Sequence, residues 1–130
     1  MVTLQLLKLL EDNDLGELDV DLFWQKLGAG KNGVYIVDIG EPREIGKMQS
    51  VMFELYSRDN DDVKAYERLD KIVAFLNGLY GKCCELPAFD IYPHKFDKKT
   101  VLMHKVSTIS NVGEDANGRV VYSATGRVSY

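Results

Sequence analysis

The sequence predicts an α+β fold, with two main helices packed on a mixed, mostly antiparallel sheet of about four to five strands. Three observations carry that expectation. Val63, Tyr66, Leu69, Ile72, Val73 and Leu76 recur at three- and four-residue steps, as one face of a helix does. From Gln49 to Ser57 the pattern alternates, with Val51, Phe53 and Leu55 on one side and Met52, Glu54 and Tyr56 on the other. The order of elements is helix, two strands, helix, then strands, which suits a sheet covered by helices. All 130 residues fit one domain, and a chain of that length can bury a single core.

The elements follow in order. Val2 to Glu11 places Leu4, Leu6, Leu7, Leu9 and Leu10 around a helix, leaving Gln5, Lys8 and Asp12 as a narrow polar strip. Its apolar arc is wider than one sheet face needs, so the helix is either enclosed in the domain or shared with another subunit. Gly16 and the acidic residues Asp12, Asp14, Glu17, Asp19 and Asp21 form a break before Leu22-Phe23-Trp24. Gly28 to Gly33 is a loop rich in residues that tolerate positive φ, and Val34-Tyr35-Ile36-Val37 is a short β-branched strand. Glu41 to Gly46 reads as a polar connection to the alternating strand.

The second helix takes Asp59 or Asn60 as its cap and Gly78 or Gly81 as its stop. Strands are expected at Phe89–Tyr92, ending at Pro93, and at Val101–Ile109, with Leu102, His104, Val106 and Thr108 on one side. Asn111–Gly118 is turn chemistry. The last strand runs from Arg119 to Tyr130, with Val120, Tyr122, Ala124, Val128 and Tyr130 sharing a face.

Composition narrows the function classes. Hydrophobic residues at 45% and charged residues at 28% are ordinary for a globular chain and too apolar for a disordered one. Twenty acidic against sixteen basic residues give a net charge of −4, with the basic ones scattered. A clustered basic face is absent from the sequence, so sequence-independent phosphate binding by the monomer is not expected, and neither is direct, sequence-specific nucleic-acid binding. A ring of subunits could still line a pore with one sign of charge. The first ten residues lack a secretory signal pattern, and no apolar run approaches the roughly 18 residues of a membrane span, so no membrane partner is expected. Cys83 and Cys84 are adjacent and read as two reduced thiols.

Each catalytic imitation fails at a named position. Gly28-Ala29-Gly30-Lys31 resembles a phosphate loop, but Gln25 and Asn32 stand where a glycine and a Ser or Thr belong. Asp38 and Glu54 suggest a metal nuclease, but Tyr56 replaces the lysine two residues after the glutamate. Asp12-Asn13-Asp14 and Asp59-Asn60-Asp61 open like calcium loops and lack the later glycine and glutamate, so they read as a helix boundary and a cap. His94 and His104 carry no nucleophile motif, and the adjacent cysteines lack zinc or redox spacing. No catalytic residue, metal ligand or cofactor is expected, and binding to other protein chains is the predicted role.

A more specific expectation comes from resemblance. The strand Phe53-Glu54-Leu55-Tyr56-Ser57-Arg58 leads to the helix Ala65-Tyr66-Glu67-Arg68-Leu69-Asp70-Lys71-Ile72 and on to Phe75-Leu76-Asn77-Gly78. Then come a long strand, Asp115-Ala116-Asn117-Gly118-Arg119, and a terminal strand with alternating small residues. This pattern resembles the bacteriophage minor capsid proteins of the tail-terminator (tail completion) family, well over Gln49 to Tyr130 and by layout before that. The resemblance implies a single tail-terminator-like domain over residues 1–130. It implies a structural virion subunit that forms a ring, commonly a hexamer, caps the tail tube and stops its polymerisation. Its partners would be its own copies, the tail-tube protein and the head–tail connector proteins, at the head–tail junction after assembly in the host cytoplasm.

Ring subunits of this size join head to tail through exposed edges and loops. The terminal strand Arg119 to Tyr130 is a candidate edge. The polar extensions expected to meet the tube or connector carry Glu41, Arg43, Glu44 and Lys47, then Glu114, Asp115 and Arg119, and Arg127 on the last strand is a further interface candidate. Two rival classes stay open: a small metal-dependent nuclease using Asp38 and Glu54, and a monomeric adaptor module.

Overall fold

The structure is a computed structural model that describes residues 2–27, 31–91 and 93–130, apart from the side chains of residues 40–43 and 45. Helix α1 spans Val2–Asp12 and α2 spans Asp62–Gly78. The strands are β1 (Leu22–Trp24), β2 (Gly33–Ile45), β3 (Met48–Asp59), β4 (Cys83–Leu86) and β5 (Phe89–Ile91). They continue with β6 (His94–Phe96), β7 (Lys99–Met103), β8 (Ser110–Glu114) and β9 (Val120–Ser129). Among the described residues, twice as many lie in strands as in helices.

This corrects the expected α+β fold of about four to five strands: the protein is mostly β. Its main sheet has seven strands, in the order β1-β2-β3-β9-β7-β4, with β8 also paired to β9. The β1–β2 pair is parallel and the other pairs are antiparallel. β5 and β6 form a separate hairpin. Several additional strands are three to five residues long. Alternation over so few residues is weak, and a paired neighbour determines whether such a segment becomes a strand.

The polar stretch before Gly46 is likewise not a connection. It is the end of β2, paired through Arg43↔Ser50, Glu44↔Gln49 and Ile45↔Met48 beyond a register shift. The chain reverses at Gly46-Lys47, where Gly46 adopts φ +63°, a value that favours glycine at the first position of a two-residue hairpin turn.

One face of the main sheet carries the core. Phe53 and Leu55 of β3, Val34 and Ile36 of β2, and Ala124 and Val128 of β9 are buried together with Val101 and Met103 of β7. α2 packs here by burying Ala65, Leu69, Ile72, Val73 and Leu76, while Val63 and Tyr66, expected on that stripe, are exposed at its margin. Tyr66 meets Tyr122 edge-on at 5.5 Å. The helix is capped by Asp61 and not by Asp59 or Asn60: the Asp61 carboxylate accepts the Val63 and Lys64 amide hydrogens. Asp59 is one step back, accepting from the Asp61 N–H and from Arg68.

α1 touches β1 and β4, the two ends of the strand path, as well as β2. The sheet therefore curls around this helix. That explains the wide apolar arc, because Val2, Leu4, Leu6, Leu7 and Leu10 are buried inside the chain itself, with Thr3 and Gln5. Full burial of each of these leucines contributes about 1.5–3 kcal/mol. The polar members are satisfied: Thr3 Oγ1 accepts from Trp24 Nε1 at 3.1 Å, and Gln5 Nε2 donates to the Pro87 and Asp97 carbonyls.

The expected strand Val101–Ile109 stops at Met103, and the expected turn Asn111–Gly118 is partly strand. β7 leaves the sheet after Met103 and the chain rejoins β9 as β8 at Ser110. Side chains intercept the ladder in between. Asn77 Oδ1 accepts the Val106 N–H at 2.8 Å, and Ser107 Oγ accepts the Thr125 N–H at 2.8 Å. Val106 is drawn into the core and leaves the face expected for it beside His104.

Candidate functional site

The sheet has two ends, two edges and one face that no helix covers. At one end, Ser50 pairs with Ser129 and the β2–β3 turn lies just beyond; at the other, Asp59 pairs with Val120 beside the β8–β9 turn. Nine strand steps separate these pairs, so the two turns are about 30 Å apart. Of the residues expected at an interface, Glu44 and Lys47 are exposed at the first end. Glu41 and Arg43 belong to the same arm of β2, and their side chains lie outside the described residues. Glu114 is exposed at the second end, in β8, all five residues of which are exposed.

Asp115 and Arg119 are not a free display but a clamp. Arg119 is only 5% exposed. Its Nε donates to Asp115 Oδ2 at 2.9 Å, and its Nη1 donates to the Lys31 carbonyl at 3.0 Å and to Asn32 Oδ1 at 3.2 Å. Asp115 Oδ1 accepts the Asn117 and Arg119 amide hydrogens. These bonds hold the Asp115 carboxyl below the usual carboxylate range, the Arg119 N–H contributing most. Arg58 adds a second guanidinium, 3.6 Å from Asp115 and donating to the Lys31 carbonyl. The clamp thus ties the β8–β9 turn to the residues that enter β2.

The uncovered face carries Tyr35, Val37 and Ile39 of β2 against Tyr56, Glu54 and Met52 of β3, which lie against Ser123, Thr125 and Arg127 of β9. These residues are mostly half-buried by their own neighbours. Tyr35 and Tyr56 stack at 5.0 Å. Tyr56 donates to Glu54, and that bond pushes the phenol up to about 12.

On this face, where the chain arches away between β7 and β8, lies a groove of about 540 Å³. Met52, Thr125, Gly126 and Arg127 form one wall and His104 to Thr108 the other. His104 N–H donates to the Arg127 carbonyl at 3.0 Å, which places the two side chains on the same face, and His104 Nε2 is 2.7 Å from Ser129 Oγ. The sequence picked out Arg127 and not its companions, because the arch that brings Lys105 and Thr108 to it depends on Asn77 and Ser107.

The nuclease pair is taken apart by the register. Asp38 lies opposite Phe53 and Glu54 opposite Val37, so the carboxylates point to opposite faces of the sheet. Asp38 is held by Gln25 Nε2 at 3.0 Å instead. No group of three metal-binding side chains gathers among the described residues.

Gly28 to Gly30 lie outside the described residues; the Lys31 ammonium sits 5.5 Å from the Phe23 ring centroid. Asp12-Asn13-Asp14 ends α1, as expected of a helix boundary. Cys83 is exposed and Cys84 half-buried, both are free thiols, and burial pushes the Cys84 thiol up. His94 stacks on Phe96. No helix among the described residues is long and apolar enough to cross a membrane.

A larger cleft of about 710 Å³ opens between β1 and the β5–β6 hairpin, walled by Leu22, Phe23, Trp24, Phe89 and Ile91. Its charged rim is balanced, with Asp19 and Asp90 against Lys26 and Lys31, and the Trp24 N–H is already spent on Thr3. It offers apolar area but little to select a head group.

No protein-family model matches the chain, and no curated protein is significantly similar to it. Fold and surface define a class only: a curled, mostly β domain plugged by one helix and backed by another, with an uncovered sheet face and projecting hairpins.

Proposed function

We propose that the chain is a structural virion subunit of the tail-terminator type, which caps the tail tube, stops its polymerisation and joins it to the head connector. The observation that carries this reading is the separation of two polar hairpin turns at opposite ends of one sheet, with sheet edges left unpaired between them. β8 pairs only with β9, and β1 covers only Val34 to Ile36 of β2, leaving backbone edges open among the described residues. Such edges suit head-to-tail contact between copies in a ring, commonly a hexamer. The two ends then remain available for different neighbours along the ring axis.

In this reading the arm bearing Glu41, Arg43, Glu44 and Lys47 meets one axial neighbour. Glu114 meets the other, while Asp115 and Arg119 keep the second turn rigid. Rigid presentation lowers the ordering cost of binding. The test is co-sedimentation with assembled tail tubes. The wild-type chain is expected to pellet with the tubes, and a Glu44→Lys, Lys47→Glu variant to remain in the supernatant. A wild-type chain that never pellets with tubes or connector refutes the reading.

A further inference from the structure

We propose that the groove at the break between β7 and β8 is a binding site for a phosphate group. This inference stands on the groove alone and does not depend on the assembly role. Three residues with cationic or hydrogen-bonding side chains, Arg127, Lys105 and His104, line it on two walls, the His104 Nε2 being already in hydrogen-bond contact with Ser129 Oγ. Among the described residues neither Arg127 nor Lys105 has an ion-pair partner. Arg127 is half-buried as a residue and forms part of the groove wall.

The backbone adds a donor. In a regular antiparallel ladder His104 and Arg127 would exchange two bonds. The His104 N–H reaches the Arg127 carbonyl, but among the described residues the Arg127 N–H makes no return bond to His104. That N–H points to the same side as its own carbonyl, toward the arch. Thr125 and Thr108 line the groove as well, whereas the Ser107 hydroxyl is used by Thr108 and Thr125.

Shape favours phosphate over a carboxylate. Residues that carry donors stand on opposite walls, Arg127 and Thr125 on β9 and Lys105 and Thr108 on the arch. A tetrahedral anion with several acceptor oxygens can meet both walls at once, whereas a carboxylate offers its two oxygens in a single plane. Among the described residues the carboxylate close by on this face is that of Glu54, which faces Thr125 across the β3–β9 pair and is engaged by Tyr56. It is not part of the groove lining. The volume is within the range of small-ligand sites.

The test is an amide NMR titration of the intact chain with inorganic phosphate, then with a nucleoside monophosphate and a single-stranded oligonucleotide of about ten nucleotides. Saturable shifts are expected at His104 to Thr108 and at Thr125 to Arg127. Arg127→Gln is expected to weaken phosphate binding by about tenfold or more, since it removes a charge-assisted contact. Lys105→Gln, at an exposed position, tests the same site should Arg127→Gln disturb the fold, and Lys71→Gln on α2 is the unaffected control.

An oligonucleotide that binds much more tightly than inorganic phosphate, with steep salt dependence, identifies a nucleic-acid backbone as the source. Equal affinities identify a free phosphate or nucleotide. Absent shifts in the groove, or titrations unchanged by both Arg127→Gln and Lys105→Gln, overturn the proposal.

Discussion

Arg119 donates its Nε hydrogen to Asp115 Oδ2 at 2.9 Å, closing the β8–β9 turn on itself before its other nitrogens reach the residues leading into β2. Two residues that sequence alone offers as a polar display are in fact a clamp. Asp115 has its carboxyl held low in the folded chain, by the Arg119 N–H first and then by the Asn117 N–H and the guanidinium. Its contribution to stability is therefore present above the unfolded carboxylate pKa and lost as pH falls through the lower folded value. Denaturant midpoints measured from neutral to acid pH should fall for the wild type and fall less for Asp115→Asn. Identical profiles would show that the clamp contributes nothing to acid sensitivity.

Gly126 lies opposite Phe53 in the β3–β9 pair, and a Cβ at Gly126 would sit 2.4 Å from the ring. The ring fills the space a side chain would need. Gly126→Ala should cost about 1–3 kcal/mol in chemical unfolding, as overpacking of a dense core does. Full stability in that variant would mean that the ring is free to move aside.

Gln5 is a polar residue on a leucine-rich helix, and it is 2% exposed. Its amide donates to the Pro87 carbonyl at 3.1 Å and the Asp97 carbonyl at 2.7 Å, on the two sides of the β5–β6 hairpin. Gln5→Leu leaves both carbonyls unpaired and should cost about 1–3 kcal/mol. Hydrogen exchange should quicken at Phe89 to Phe96 more than elsewhere; a uniform change would argue against a local latch.

These residues also show how far the sequence could be read. α2, β3 and β9 were legible because each repeats its period over ten or more residues. β1, β4, β6 and β8 were not, since three to five residues carry little pattern and their pairing partners are distant in the chain. The arch after Met103 was hidden for another reason: Asn77, 29 residues before Val106, captures its amide. Arg127 could be picked out as a charge on an alternating strand, but the groove around it depends on that capture. The wide apolar arc of α1 was visible, and its cause was not, because curling of the sheet is a property of the whole strand order.

Tyr56 should titrate late. Its hydroxyl donates to Glu54, the largest cause of a pKa raised to about 12, with burial adding to it. A raised value favours the neutral phenol, so the stabilisation holds below the unfolded tyrosine pKa and is lost as pH rises through the folded one. Tyr35 and Tyr130 are also raised, by burial, and ultraviolet titration should find a late-ionising tyrosine that shifts downward in Glu54→Gln. A titration unchanged by that substitution would remove Glu54 as the cause.

The central claim, that this curled sheet is built to cap a tube, is tested most directly by the lengths of tail tubes grown with and without the chain. Electron micrographs of tube protein polymerising alone should show long, variable tubes. Adding the chain early should give shorter tubes carrying a ring at one end. Tubes of unchanged length with bare ends, at chain concentrations exceeding the tube ends, would contradict the account.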